Sequence, residues 1–130
     1  MIKTVSAALA FSVMGAMASA DTTETVQVFY DLLSNPGSES HAAAFVAASS
    51  EDWESIGDYS GKNKTRDAFL GQMGFFAEQI PDLDWSVEAM HVAGDVVTVR
   101  SRATGTPVGP FFGGDGEKHV ARHVEVQAVA

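Results

Sequence analysis

Residues Pro81 to Gly113, PDLDWSVEAMHVAGDVVTVRSRATGTPVGPFFG, constrain this chain more than any other stretch. Leu83, Trp85, Val87 and Ala89 alternate with Asp84, Ser86 and Glu88, the period of two expected of a half-buried strand. Ala93-Gly94-Asp95 supplies a tight turn, and Val96 to Thr104 is β-branched and basic, so a second strand returns beside the first. A glycine-rich segment, Gly105 to Gly113, stops it. The chain is therefore expected to contain an antiparallel hairpin of long strands preceded by helices.

Those helices occupy the segment before Pro81. Asp21-Thr22-Thr23-Glu24 has the form of a capping box, and Val26, Phe29, Tyr30 and Leu33 then fall on one helical face. Ser34-Asn35-Pro36-Gly37 ends this helix, and Ser38 to Ala48 reads as a second, alanine-rich one. Ser49 to Asn63 is turn-rich, with a short strand around Trp53 to Ile56. A third helix is expected from about Thr65 to Ile80, with Phe69, Met73, Phe76 and Ile80 as its apolar stripe and Pro81 as its stop. Three helices followed by strands make one α+β domain, and 110 residues allow one core.

Residues 1–20 read as a signal peptide. Lys3 is followed by an apolar run and by Ala18-Ser19-Ala20, a cleavage site of the A-x-A type. The mature chain, 21–130, is expected to start at Asp21 and to be periplasmic or secreted. It has no cysteine, so packing alone must stabilise it outside the cytoplasm. Loss of Lys3 takes the net charge from −9 to −10, which argues against nucleic acid and, once the signal is removed, against a membrane surface as partners. The charge is uneven. Asp21 to Asp95 holds 14 acidic and 3 basic residues, whereas Val96 to Ala130 holds 3 acidic and 4 basic residues with His119 and His123.

The candidate chemistry lies in the final strand, GEKHVARHVEVQAVA. Val120, Arg122, Val124 and Val126 share one face, and His119, Ala121, His123, Glu125 and Gln127 share the other. His119 and His123 lie roughly 13 Å apart, too far to share a metal ion, while His123 and Glu125 are roughly 6.6 Å apart, close enough to grip one small molecule. The alternative is that this polar face meets solvent and does nothing. Trp53, Tyr59, Phe76 and Trp85 are candidates to line a hydrophobic pocket, with simple core packing as the competing reading. Arg100 shares a face with Thr98 and Arg102, where it would bind an anionic substrate group or pair across strands. His91 and His41 read as structural or exposed. The sequence offers no phosphate loop, Ser-His-Asp arrangement or metal signature, and no cofactor is expected.

The order of these pieces resembles the SnoaL-like polyketide and ester cyclases of the NTF2-like superfamily. The resemblance rests on Val26-Gln27-Val28-Phe29-Tyr30, on the Ile56-to-Phe69 stretch with Gly61, and above all on Gly105 to Gly113 as GT-x-x-G-P-F-x-G. It implies an NTF2-like cone, with three helices packed on a curved antiparallel sheet around a pocket. It also implies a cofactor-free cyclase or isomerase that deprotonates a small hydrophobic carbonyl compound. The family's acid/base carboxylate falls at Glu125, where the family usually has aspartate, with His123 beside it; Trp53, Tyr59, Phe76, Trp85, Arg100 and His119 would contact substrate. Where family members often carry histidine after Gly-Thr, this chain has Pro107. In a closed apolar site Glu125 would favour its neutral form. The other class is a non-catalytic exported binding domain with the same pocket. The family also continues into one more strand beyond Ala130, so an open sheet edge and self-pairing into a homodimer are expected.

Overall fold

The computed structural model describes residues 22–57, 60–111, 114–115 and 119–128. The expected signal peptide, the Asp21 cap and Tyr59 lie outside them. Helix α1 (22–34) is followed by α2 (Glu39–Ala48), the short strands β1 (Glu54–Ser55) and β2 (Lys64–Thr65), and α3 (Arg66–Gln79). Strands β3 (Asp84–Ala93) and β4 (Val96–Gly105) form the long hairpin, then come β5 (Pro110–Phe111), β6 (Gly114–Asp115) and β7 (His119–Ala128). No helix among the described residues is long and apolar enough to cross a membrane.

Local chemistry sets these boundaries. The Ser38 and Thr65 hydroxyls accept from the backbone N–H groups of His41 and Ala68, capping α2 and α3. The β3–β4 turn places Gly94 at φ +63°, a left-handed conformation that glycine adopts without steric cost. The glycine-rich segment read as a plain stop contains the small β5–β6 hairpin, in which Pro110 pairs with Asp115.

The main sheet is antiparallel, in the order β3-β4-β7. Val97 and Val99 of β4 are fully buried against the helices, in one core with Val26, Tyr30, Leu32, Leu33, Phe45, Phe69 and Met73. Their side of the sheet is its inner face. Register then assigns β7: Ala121 pairs with Ala103, His123 with Ser101, Glu125 with Val99 and Gln127 with Val97, so the polar face of β7 is the inner one. The unbroken alternation expected for β3 fails at one point. A register shift between Val87 and Ala89 inserts a bulge at Glu88, so Met90, opposite Val99, continues the inner row and Ala89 joins the outer one.

An aromatic cluster knits the helices together. Phe69 lies 5.4 Å from Phe29, 5.5 Å from Phe45 and 5.0 Å from Trp53, centroid to centroid. Trp53, a candidate pocket residue, packs into this cluster instead. Leu32, fully buried, was not part of the expected α1 face.

Candidate functional site

A cavity of about 450 Å³ lies between α3 and the inner face of the sheet. Leu33, Phe76, Ile80, Leu83, Trp85 and Ala121 supply most of its apolar wall. Among its described lining residues the one titratable side chain is His123. The imidazole packs against the Trp85 indole, with ring centroids 4.9 Å apart and planes inclined by 32°.

The backbone around the cavity is held from several sides. The Trp85 N–H donates to Ser34 Oγ at 2.8 Å, and the Ser34 hydroxyl donates to the Trp85 carbonyl at 3.0 Å. The end of α1 thus pairs with β3 as another strand would and fixes the Trp85 ring. Asp82 accepts from the Thr106 N–H at 2.6 Å and from its hydroxyl at 2.8 Å, and the Val108 N–H donates to the Gln79 carbonyl at 2.9 Å. These bonds hold Pro107, where the resemblance implies histidine, against the cavity. The exchange makes that stretch of wall apolar. Gly105 has no room for a side chain, because a Cβ there would collide with Ile80 Cγ2.

Glu125 is half-buried on the same face as His123, yet it is not part of the cavity wall. The Tyr30 hydroxyl donates to Glu125 Oε2 at 2.6 Å, joining α1 to β7. Burial holds the Tyr30 phenol far above its ordinary value, and the hydrogen bond to Glu125 and the carboxylate's charge push it the same way. Gln127 and Ser101 act in the opposite direction. Tyr30 therefore stays a neutral donor. Its folded value lies above its unfolded one, so the associated stability is complete below about pH 10 and is lost as pH rises beyond it. We expect the native chain to lose stability more steeply above about pH 10 than Tyr30→Phe. Denaturant midpoints measured from pH 8 to 11 check this, and parallel profiles would contradict it.

Of the other candidates, Phe76 and Trp85 line the cavity, whereas Arg100 is exposed on the outer face of the sheet. Of His119 only its strand position, paired with Gly105, is described. Sequence reading took Tyr30 as core and Ser34 as a helix stop. Both are fixed by contacts to strands at least 51 residues away, and only the polar tip of a buried tyrosine hints at a partner. Among the described residues no group of three His, Asp or Glu side chains gathers to hold a metal ion.

The SnoaL-like polyketide cyclase model matches residues 24–129. The chain belongs to the SnoaL-like polyketide cyclase family. Solved structures agree on the fold. A protein from Jannaschia sp. CCS1, assigned as a SnoaL-like polyketide cyclase, superposes with a TM-score of 0.70 at 24% identity over 85% of this chain and 78% of its own. IdmH from Streptomyces antibioticus, assigned as a polyketide cyclase, gives 0.66 at 19% identity over 84% and 83%. A protein of ketosteroid isomerase-like fold from Catenulispora acidiphila DSM 44928, in complex with trimethylamine, gives 0.64 at 15% identity over 82% and 76%. No curated protein matches in sequence. This SnoaL-like domain thus has the NTF2-like α+β fold, three helices on a curved antiparallel sheet.

Proposed function

We propose that this SnoaL-like domain is a cofactor-free acid–base enzyme acting on a small, neutral, hydrophobic carbonyl compound. One observation carries the reading: a largely apolar cavity presents, among its described lining residues, a single titratable side chain, His123. An apolar ligand enters by burying its surface, and its carbonyl end is directed to His123. His123 takes the proton from the carbon beside the carbonyl, leaving an enolate. The enolate carbon attacks a second carbonyl of the same molecule or is reprotonated at another position, and His123 returns the proton in either case. Glu125, held by Tyr30 and roughly 6.6 Å along the strand, places a fixed negative charge near the imidazolium that forms.

The test uses 2-tetralone, a flat bicyclic ketone, in D2O. Loss of its α-proton signals above the buffer rate, followed by NMR, reports proton abstraction without requiring the natural substrate. That no carboxylate stands among the described lining residues favours a second reading, a binding domain without turnover. Saturable quenching of Trp85 by 2-tetralone with exchange at the buffer rate would establish that reading and remove the first.

Export is part of the proposal, supported by Lys3, the apolar run and Ala18-Ser19-Ala20. The intact mass of chain recovered outside the cytoplasm is expected to correspond to a start at Asp21. Recovery of a species that retains Met1 to Ala20 would sink it.

A further inference from the structure

Ser101 carries a hydroxyl that the fold leaves unused. The residue is fully buried on the inner face of β4, and among the described residues its Oγ is the buried side-chain polar atom without a hydrogen-bond partner. Such a group carries a desolvation penalty that alanine, the residue at the next inner position, 103, would avoid. Its neighbours are the groups of the proposed chemistry. His123 is its direct partner across the β4–β7 pair, and Trp85 stands opposite Ala103 on the other side of β4. The His123 and Trp85 rings, 4.9 Å apart, therefore meet above β4 where Ser101 and Ala103 leave room for them. Tyr30 reaches the same place from α1. Its ring lies 6.3 Å from that of Trp85, and its hydroxyl donates to Glu125, two residues beyond His123. The Ser101 hydroxyl is near enough to act as a donor on the Tyr30 phenol, yet it closes no hydrogen bond to it.

We propose that Ser101 joins His123 to the Tyr30–Glu125 pair through a directed chain of hydrogen bonds, and so fixes which imidazole nitrogen meets the ligand. The proposal rests on the reading of His123 as the base. The ring N–H on the β4 side donates to Ser101 Oγ, the serine hydroxyl donates to Tyr30 Oη, and the Tyr30 hydroxyl donates to Glu125 Oε2 at 2.6 Å. The inventory of donors sets this direction. A carboxylate only accepts, so Tyr30 gives its hydrogen to Glu125 and keeps lone pairs free to accept, while a serine hydroxyl accepts one hydrogen and donates another. Directly opposite residues of an antiparallel pair have Cβ atoms about 4.5–5.5 Å apart, so side-chain rotation alone closes the bond between His123 and Ser101. With the nitrogen on the β4 side held protonated, the neutral ring turns its bare nitrogen to the cavity, the tautomer that a base needs. When that nitrogen takes the α-proton, no proton leaves along the chain. Ser101 goes on accepting, and the Glu125 charge stabilises the imidazolium through the polarised bonds. Ser101 is not part of the cavity wall, so it is a positioning residue. Its place accounts for a carboxylate that serves the base from behind the wall.

The test compares Ser101→Ala, Tyr30→Phe and the double variant. Each replacement deletes a single oxygen and adds no volume, and circular dichroism confirms the fold. In Ser101→Ala, α-proton exchange in 2-tetralone should fall about tenfold or more, with binding of the ketone within about threefold of the native chain. The double variant should be no slower than the slower single one, because a chain broken once is already broken. Losses that multiply, or Ser101→Ala at the native rate, would overturn the proposal. A second measurement needs no ketone. The ¹⁵N signals of the His123 ring are assigned by their disappearance in His123→Gln. In the native chain the neutral ring should show one protonated and one bare nitrogen at well-separated shifts, and in Ser101→Ala the two shifts should draw together as the tautomers mix. Ring shifts indifferent to Ser101→Ala would overturn the proposal equally. A native chain that exchanges no α-proton removes His123 as the base, and the ring shifts then still decide whether Ser101 holds it.

Discussion

Replacing His123 with glutamine is expected to lower α-proton exchange in 2-tetralone by about 10² to 10⁴, the range over which a positioned general base acts. The substitution keeps a polar, planar group of similar reach against Trp85 and removes the proton-accepting nitrogen. Binding of the ketone, read by tryptophan fluorescence, should stay within about threefold, because the rest of the wall, largely apolar, is unchanged. Glu125→Gln should lower the exchange rate at least tenfold, again with little change in binding, since the carboxylate lies behind the wall. The two carboxylate and imidazole variants separate roles that a rate alone would merge. Full activity in His123→Gln would remove the imidazole from the chemistry whatever Glu125 does.

Phe69→Ala is expected to cost about 3–5 kcal/mol of folding stability, the usual penalty for deleting a fully buried aromatic ring. Phe69 is 5% exposed and touches one ring from each neighbouring element: Phe29 on α1, Phe45 on α2 and Trp53 beside β1. Urea denaturation followed by fluorescence measures the loss directly. A cost below about 1 kcal/mol would mean that the three rings do not depend on Phe69 for their packing.

The helices and long strands were legible because their signals are local. The stop at Pro81, the Gly94 turn and the β-branched run of β4 each act within a few residues. The bulge at Glu88 was not legible. Ala89 and Met90 are both apolar, so either fits an inner row, and pairing across the strands decides between them. The same limit held at the site. The sequence divided β7 into a polar and an apolar face, but it could not say which faces inward. An apolar outer row of Val124 and Val126 argues locally for the opposite orientation, and the register with Val97 and Val99 overrides it. Arg100 shows the converse: a cation beside candidate pocket residues in sequence stands on the other side of the sheet. Tyr30 and Ser34 acquire their roles from strands folded far later in the chain, which no pattern within α1 encodes.

The Tyr30–Glu125 bond closes a loop of 95 residues. A chain synthesised or threaded across a membrane from its N-terminus can assemble the Phe29, Phe45, Trp53 and Phe69 cluster early, since those rings span only 40 positions. Tyr30 and the imidazole wall must wait for β7. Until that strand docks on β4, the Tyr30 hydroxyl lacks its Glu125 acceptor and the cavity lacks His123. The cavity wall of a half-emerged copy therefore stays incomplete however well its helices have packed.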